Sequence, residues 1–172
     1  MVFLPVIGNL IGILNDKSSA NQIALAAALG AMAALLPGFG LISLCLFIVI
    51  FLLNVNIAAA FLAMASFKPV GFLLDPIAHK VGLILLVKTP ALKPFWTLLY
   101  NLPFVPFTRF NNTVVLGSLA LGLLAFPFIF ILTRTFVNIY REKWRAHINK
   151  WKVVQIIKAN KIFLFYQKVR GL

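Results

Sequence analysis

An all-α, multi-pass helical membrane fold is what this sequence predicts, and three observations carry the prediction. The 172 residues are 62% hydrophobic, with a mean hydropathy of +1.02, which is more apolar surface than a soluble core can hide. Residues 18 to 67 carry no formal charge, and as helix that run would extend roughly 75 Å against a hydrocarbon core of about 30 Å. Proline, glycine and basic residues then cut the apolar runs into pieces of helical length. The pieces read as a helical hairpin, short broken or re-entrant helices and a basic amphipathic C-terminal helix. On this reading residues 1–133 form the membrane domain, with about 3–4 membrane segments, and 134–172 form a basic cytoplasmic tail.

The first fourteen residues are apolar, without a basic start or a small-residue cleavage site. A short interfacial or buried helix is expected there, not a secretory signal. Segments 18–36 and 41–55 are the two arms of the hairpin, reversed at Pro37, Gly38 and Gly40, where helical hydrogen bonding fails and a tight turn is allowed. The first arm is built from small residues, among them Ala24, Ala27, Ala28, Gly30, Ala31 and Ala34, which permits close backbone approach and marks it as facing protein. The second, from Leu44 to Leu53, is apolar on every side and suits lipid. Asn54 and Asn56 mark its end.

Segment 57–87 is expected as broken or re-entrant pieces, because Lys68, Pro69 and Gly71 interrupt it and Asp75, His79 and Lys80 follow. Pro69 and Pro76 are read as turn residues, with Asp75 capping a short helix that Pro76 begins. One tilted helix from Pro69 to Val87 is the plainer alternative. Asp75 and His79 stand four apart and share a helical face. A carboxylate in mid-bilayer costs about 2.5 to 3.5 kcal/mol, so Asp75, His79, Lys80, Lys68 and Arg109 together make a candidate polar intramembrane site. The competing reading has Asp75 as an exposed cap and His79 and Lys80 at an interface, with no special role.

Residues 89–110 alternate Pro90, Pro94, Pro103 and Pro106 with Phe95, Trp96, Tyr100, Phe104 and Phe107, as an interfacial loop with rings at headgroup level would. Asn111, Asn112 and Thr113 are helix-capping residues for a span over 113–133, kinked at Pro127. They also form a glycosylation sequon, which matters only in a eukaryotic setting.

Charge is concentrated in the tail: residues 134–172 hold ten Lys or Arg against Glu142 alone. Basic residues next to a span are retained in the cytoplasm, which puts the C-terminus inside and the loop after Lys88 outside. Val137, Tyr140, Trp144, Ile148 and Trp151 fall on one stripe flanked by cations. Arg141, Lys143, Trp144, Arg145, Lys150, Trp151 and Lys152 are therefore the expected contacts to membrane lipids of the anionic inner leaflet, or to a partner.

The formal charge of +13 does not mean nucleic acid, because charged residues are only 11% of the chain and sit mostly in one tail. Cys45 is the sole cysteine and His79 and His147 the only histidines, so no metal site, cofactor or catalytic constellation is expected, and the chain is not read as an enzyme. Oligomeric state is not written in the sequence.

The stretch from Gly30 through Pro37 and Gly40, the arm ending at Asn54 to Asn56, the following Ala58-Ala59-Ala60 and the Pro69 turn resemble the bacterial membrane domain of unknown function numbered 2062, over about Ala20 to Leu86. That family often has Asn where this chain has Lys68. Leu73 to Pro76, His79 and Thr108 to Thr113 resemble a compact free-standing bacterial subgroup. The resemblance implies a bacterial inner membrane, and association with a larger envelope or periplasmic protein or with lipid-linked work. The expected function is a non-enzymatic subunit or anchor of an envelope complex, docking through the small-residue arm and the 89–113 loop. The alternative is a small transporter or flippase built on the polar site.

Overall fold

The computed structural model describes residues 12–14 and 16–144, with the side chain of Trp144 excepted. The expected N-terminal helix falls almost wholly outside the described residues, as do Arg145, Lys150, Trp151 and Lys152 and the tail they belong to.

Helix α1 (Ala20–Leu35) starts where Ser19 accepts a hydrogen bond from the Gln22 amide at 3.2 Å and the Gln22 side chain accepts one from the Ser19 amide at 2.8 Å. This reciprocal pair satisfies two of the helix's orphan donors. It stops at Leu36, held extended ahead of Pro37, and Gly38 takes a positive φ of 68° in the turn. Helix α2 (Leu41–Leu52) returns, with only Ser43 and Ile50 buried. At about 24 and 18 Å, neither arm matches a hydrocarbon core of about 30 Å.

Helix α3 (Ile57–Leu83) is capped by Asn56, whose side chain accepts from the Ala59 amide at 3.0 Å. It runs unbroken through Pro69 and Pro76 and continues into a π turn, Ile84–Lys88. Here the expectation of broken or re-entrant pieces over 57–87 is corrected, and with it the reading of Pro69 and Pro76 as turns and of Asp75 as a cap. Each proline removes one N–H, and both rings lie on the exposed side of the helix, so the loss falls away from the packed side. The short apolar helices are instead the two arms of the hairpin.

After a 3-10 turn (Pro90–Leu92) comes α4 (Lys93–Tyr100), then another 3-10 turn (Val105–Thr108). Pro90, Pro94 and Pro106 each open a helical turn, where proline's fixed φ and missing N–H cost nothing. The segment expected as a loop is therefore a folded cap. Helix α5 (Thr113–Ile139) begins at Asn112, which accepts from the Val114 and Val115 amides at 2.9 and 3.3 Å. Pro127 is inside it, and a π turn, Tyr140–Trp144, follows. The expected boundary at 133 was drawn where charge begins, but an exposed Arg134 does not interrupt backbone hydrogen bonding, and the helix passes through it.

All described elements are helices or turns. Two stretches, Ile57–Lys88 and Thr113–Lys143, are long and apolar enough to cross a membrane. α1, α3 and α5 each pack on the other two, and Ala24, Ala26, Ala28 and Ala31 of α1 are fully buried. Glycines set the distances. A Cβ at Gly30 would overlap the Ala60 carbonyl, one at Gly117 the Ala78 carbonyl and one at Gly82 the Thr113 carbonyl. α1 and α3 thus meet backbone to backbone at one level and α3 and α5 at another. The pairings Ala78 to Gly117 and Gly82 to Thr113 make α3 and α5 antiparallel.

Candidate functional site

Polar side chains in so apolar a molecule are few, and they gather at two levels. At one end of the bundle, Asn56 donates to the Asp16 carboxylate at 2.5 Å and to the Ser18 hydroxyl at 3.2 Å, while Ser18 donates to Asp16 at 3.1 Å. The Arg141 guanidinium closes over this group, donating to the carbonyls of Leu14 at 3.1 Å, Asp16 at 2.9 Å and Ser18 at 2.8 Å. Arg141, expected at the lipid surface, is here spent on tying the exit of α5 to the entry of α1. Val137 and Tyr140 are buried in the same core as Ile13, Leu14 and Ile23, so the start of the expected amphipathic stripe packs on its own chain. Lys143 and Glu142 are exposed.

Higher up, α3 presents Lys68, Gly71, Asp75, Ala78, His79 and Gly82 on one side, at helical spacing. Lys68 reaches the end of α1: its ammonium donates to Leu36 O at 2.9 Å and Ala34 O at 3.3 Å, and lies 5.3 Å from the Phe72 ring centroid. Carbonyls at a helix C-terminus have no intrahelical donor and carry partial negative charge, so a cation there satisfies both needs. Gly71 lets α3 close on the same end, since a Cβ would come to 2.8 Å from Ala34 O.

Asp75 lies between these contacts and the α5 crossing, half-buried, and among the described residues no hydrogen bond or ion pair holds it. His79 Nδ1 and Thr113 Oγ1 share a 2.7 Å hydrogen bond, the proton's owner depending on the imidazole tautomer. Of the three expected capping residues Asn112 alone is the cap; Thr113, the first residue of α5, is instead this contact to His79, and Asn111 is exposed. Lys80 is exposed on α3, and Arg109 is exposed in a left-handed turn at φ 57°. Among the described residues, no two of the five candidates bond to each other, and no group of three metal-ligating side chains forms. Three of the five thus stand in separate arrangements along α3, Lys68 as a cap on α1, Asp75 with no partner among the described residues and His79 bonded to α5, while Lys80 and Arg109 are exposed apart from them.

The shallow groove between α1 and α5, lined by Asn21, Gln22, Leu25, Phe126 and Phe130, lies toward the Arg141 end and away from Asp75. It and the Arg141 knot escaped sequence reasoning. The one local signal was the Asp-x-Ser pattern ahead of α1.

The profile of a family described as "Uncharacterized protein conserved in bacteria (DUF2062)" matches residues 9–145. The chain belongs to that family. The DUF2062 match takes in α1 to α5 together with Arg141 and the carbonyls it holds, so both polar levels lie within it. An uncharacterized protein of Treponema pallidum (strain Nichols) is 34% identical over 128 residues, which cover 74% of this DUF2062 chain and 78% of that protein. No solved structure matches.

Proposed function

We propose that the protein is a non-enzymatic subunit of a bacterial inner-membrane assembly serving the envelope. α3 and α5 cross the bilayer, and the α1–α2 hairpin is re-entrant from the cytoplasmic side. The Arg141 knot puts the entry of α1, the turn before α3 and the exit of α5 at one end, and the basic residues that follow α5 favour the cytoplasm for that end. The cap from Ile84 to Asn112 is then periplasmic. The observation that carries the subunit reading is the closed α1–α3–α5 interface, where glycines bring backbones into contact at Gly30, Gly82 and Gly117. Such packing favours a rigid body over an alternating cavity. The small-residue arm, expected to dock a partner, is occupied by its own chain. What remains for neighbours in the membrane is the outward side of α2, α3 and α5 and the groove at Phe126 and Phe130. Purification in mild detergent tests this: the expected result is a discrete complex with a second membrane or periplasmic protein, dissociated by Phe126→Ala with Phe130→Ala. A stable monomer that brings down neither counts against it.

One observation favours a second reading. Asp75 is half-buried on the packed side of α3 and, among the described residues, has no partner, and an ionisable group within a span is a default marker of transport. For a carrier or flippase, Asp75→Asn and His79→Ala would each abolish the cellular phenotype and alter lipid distribution. Intact phenotype and distribution in both variants would eliminate it.

A further inference from the structure

The cap between α3 and α5 combines three features. Its centre is a fixed aromatic cluster: the Trp96 indole N–H donates to Leu85 O at 2.9 Å, and Trp96 packs on Phe95 and Phe110 with centroids 4.9 and 6.0 Å away. Phe110 is buried and also meets Tyr100 at 6.4 Å. Each of the cap's cations lies close in sequence to a residue of this centre: Lys88 three residues after Leu85, Lys93 three before Trp96 and Arg109 one before Phe110. All three are exposed, and residues 84 to 112 contain no Asp or Glu. Finally, large apolar side chains stand out from the same segment, with Leu98 at 63%, Phe104 at 74% and Phe107 at 71% exposure.

An apolar surface exposed on a segment that also exposes three cations and holds no acid fits neither plain water nor the neutral interior of a bilayer. It fits an anionic headgroup layer, in which rings and leucines sit below the phosphates and Lys and Arg reach them. We infer that the 84–112 cap is a headgroup-binding platform for anionic phospholipid, with Lys88, Lys93 and Arg109 on the phosphates. Because α3 and α5 are antiparallel, this platform lies at the opposite end of the bundle from the Arg141 knot and the basic tail beyond it. Arg109 takes a left-handed backbone, φ 57°, an uncommon state for a non-glycine residue, and is exposed next to buried Phe110. The inference rests on the membrane placement proposed above and does not require a docked protein.

The test uses the full chain in vesicles, with Trp144→Phe and Trp151→Phe so that Trp96 alone fluoresces. Quenching by brominated phosphatidylglycerol is compared with quenching by brominated phosphatidylcholine at equal mole fraction in otherwise identical mixed vesicles. The expected result is about two-fold or more stronger quenching by the anionic lipid, falling to parity in the Lys88→Gln, Lys93→Gln, Arg109→Gln variant with the Trp96 emission maximum unchanged. Equal quenching by the two lipids in the parent overturns the inference. A parallel sample carrying Trp96→Phe and Leu124→Trp reports on lipid around α5, where Leu124 is 66% exposed. If the α5 indole is quenched and Trp96 is not, the membrane placement stands and the cap is left to a protein partner. If neither is quenched, the placement falls as well.

Discussion

Lys68 and Asp75 lie two turns apart on the same side of α3, and only one of them is bonded. Lys68 occupies the carbonyls of Ala34 and Leu36, so Lys68→Met leaves two buried acceptors at a helix end without a donor. The expected loss is about 1–3 kcal/mol of stability, measured by denaturant unfolding in detergent. Asp75 has no described partner, and Asp75→Asn is expected to stay within about 0.5 kcal/mol of the parent. A reversed order would mean that Asp75, not Lys68, holds the bundle. Sequence reasoning grouped both residues as one site because periodicity reveals a shared face but not what lies opposite it. The acceptor carbonyls of Lys68 belong to a helix end more than thirty positions earlier. Arg141 is a stronger case, with partners 123 to 127 positions away.

At the scale of elements, helix starts were legible and helix continuity was not. Asn112 announces α5, and Leu36 before Pro37 announces the end of α1, through chemistry contained in a few neighbouring residues. Whether Pro69 and Pro76 end a helix depends on which side the rings occupy and on what the other side packs against. The side bearing Gly71, Ala78 and Gly82 is held by α1 and α5, and that support carries the helix through. Replacing either proline by alanine restores a backbone donor without touching the packed side. Pro69→Ala and Pro76→Ala are each expected to keep the helical circular dichroism and to leave the melting temperature equal or higher, since proline is about 3 kcal/mol less favourable than alanine inside a helix. Were these residues turns, both variants would melt lower. The cap differs from a loop for the opposite reason: its prolines open short helices, and the Trp96 to Leu85 hydrogen bond and the ring contacts with Phe110, between residues distant in sequence, help tie them together.

The described residues form a three-helix core of α1 and the two long helices α3 and α5, with α2 as a short apolar arm and a folded cap at the far end. That it is all helix was legible from the long apolar runs, two of which are long and apolar enough as helices to cross a membrane. Which segments form helices of that length was not, since the arms of the hairpin and the long helices have similar composition and differ in where their ends are tied. The central claim is that the turn before α3 and the exit of α5 share one side while the cap lies on the other. Single cysteines in a Cys45→Ser background test it most directly, at Asn54, Thr97 and Glu142, all of them exposed. Each is labelled with a membrane-impermeant maleimide in spheroplasts and in inverted vesicles. The account predicts that Thr97→Cys is labelled in spheroplasts and that Asn54→Cys and Glu142→Cys are labelled in inverted vesicles. Labelling of Asn54→Cys from the same side as Thr97→Cys would contradict it.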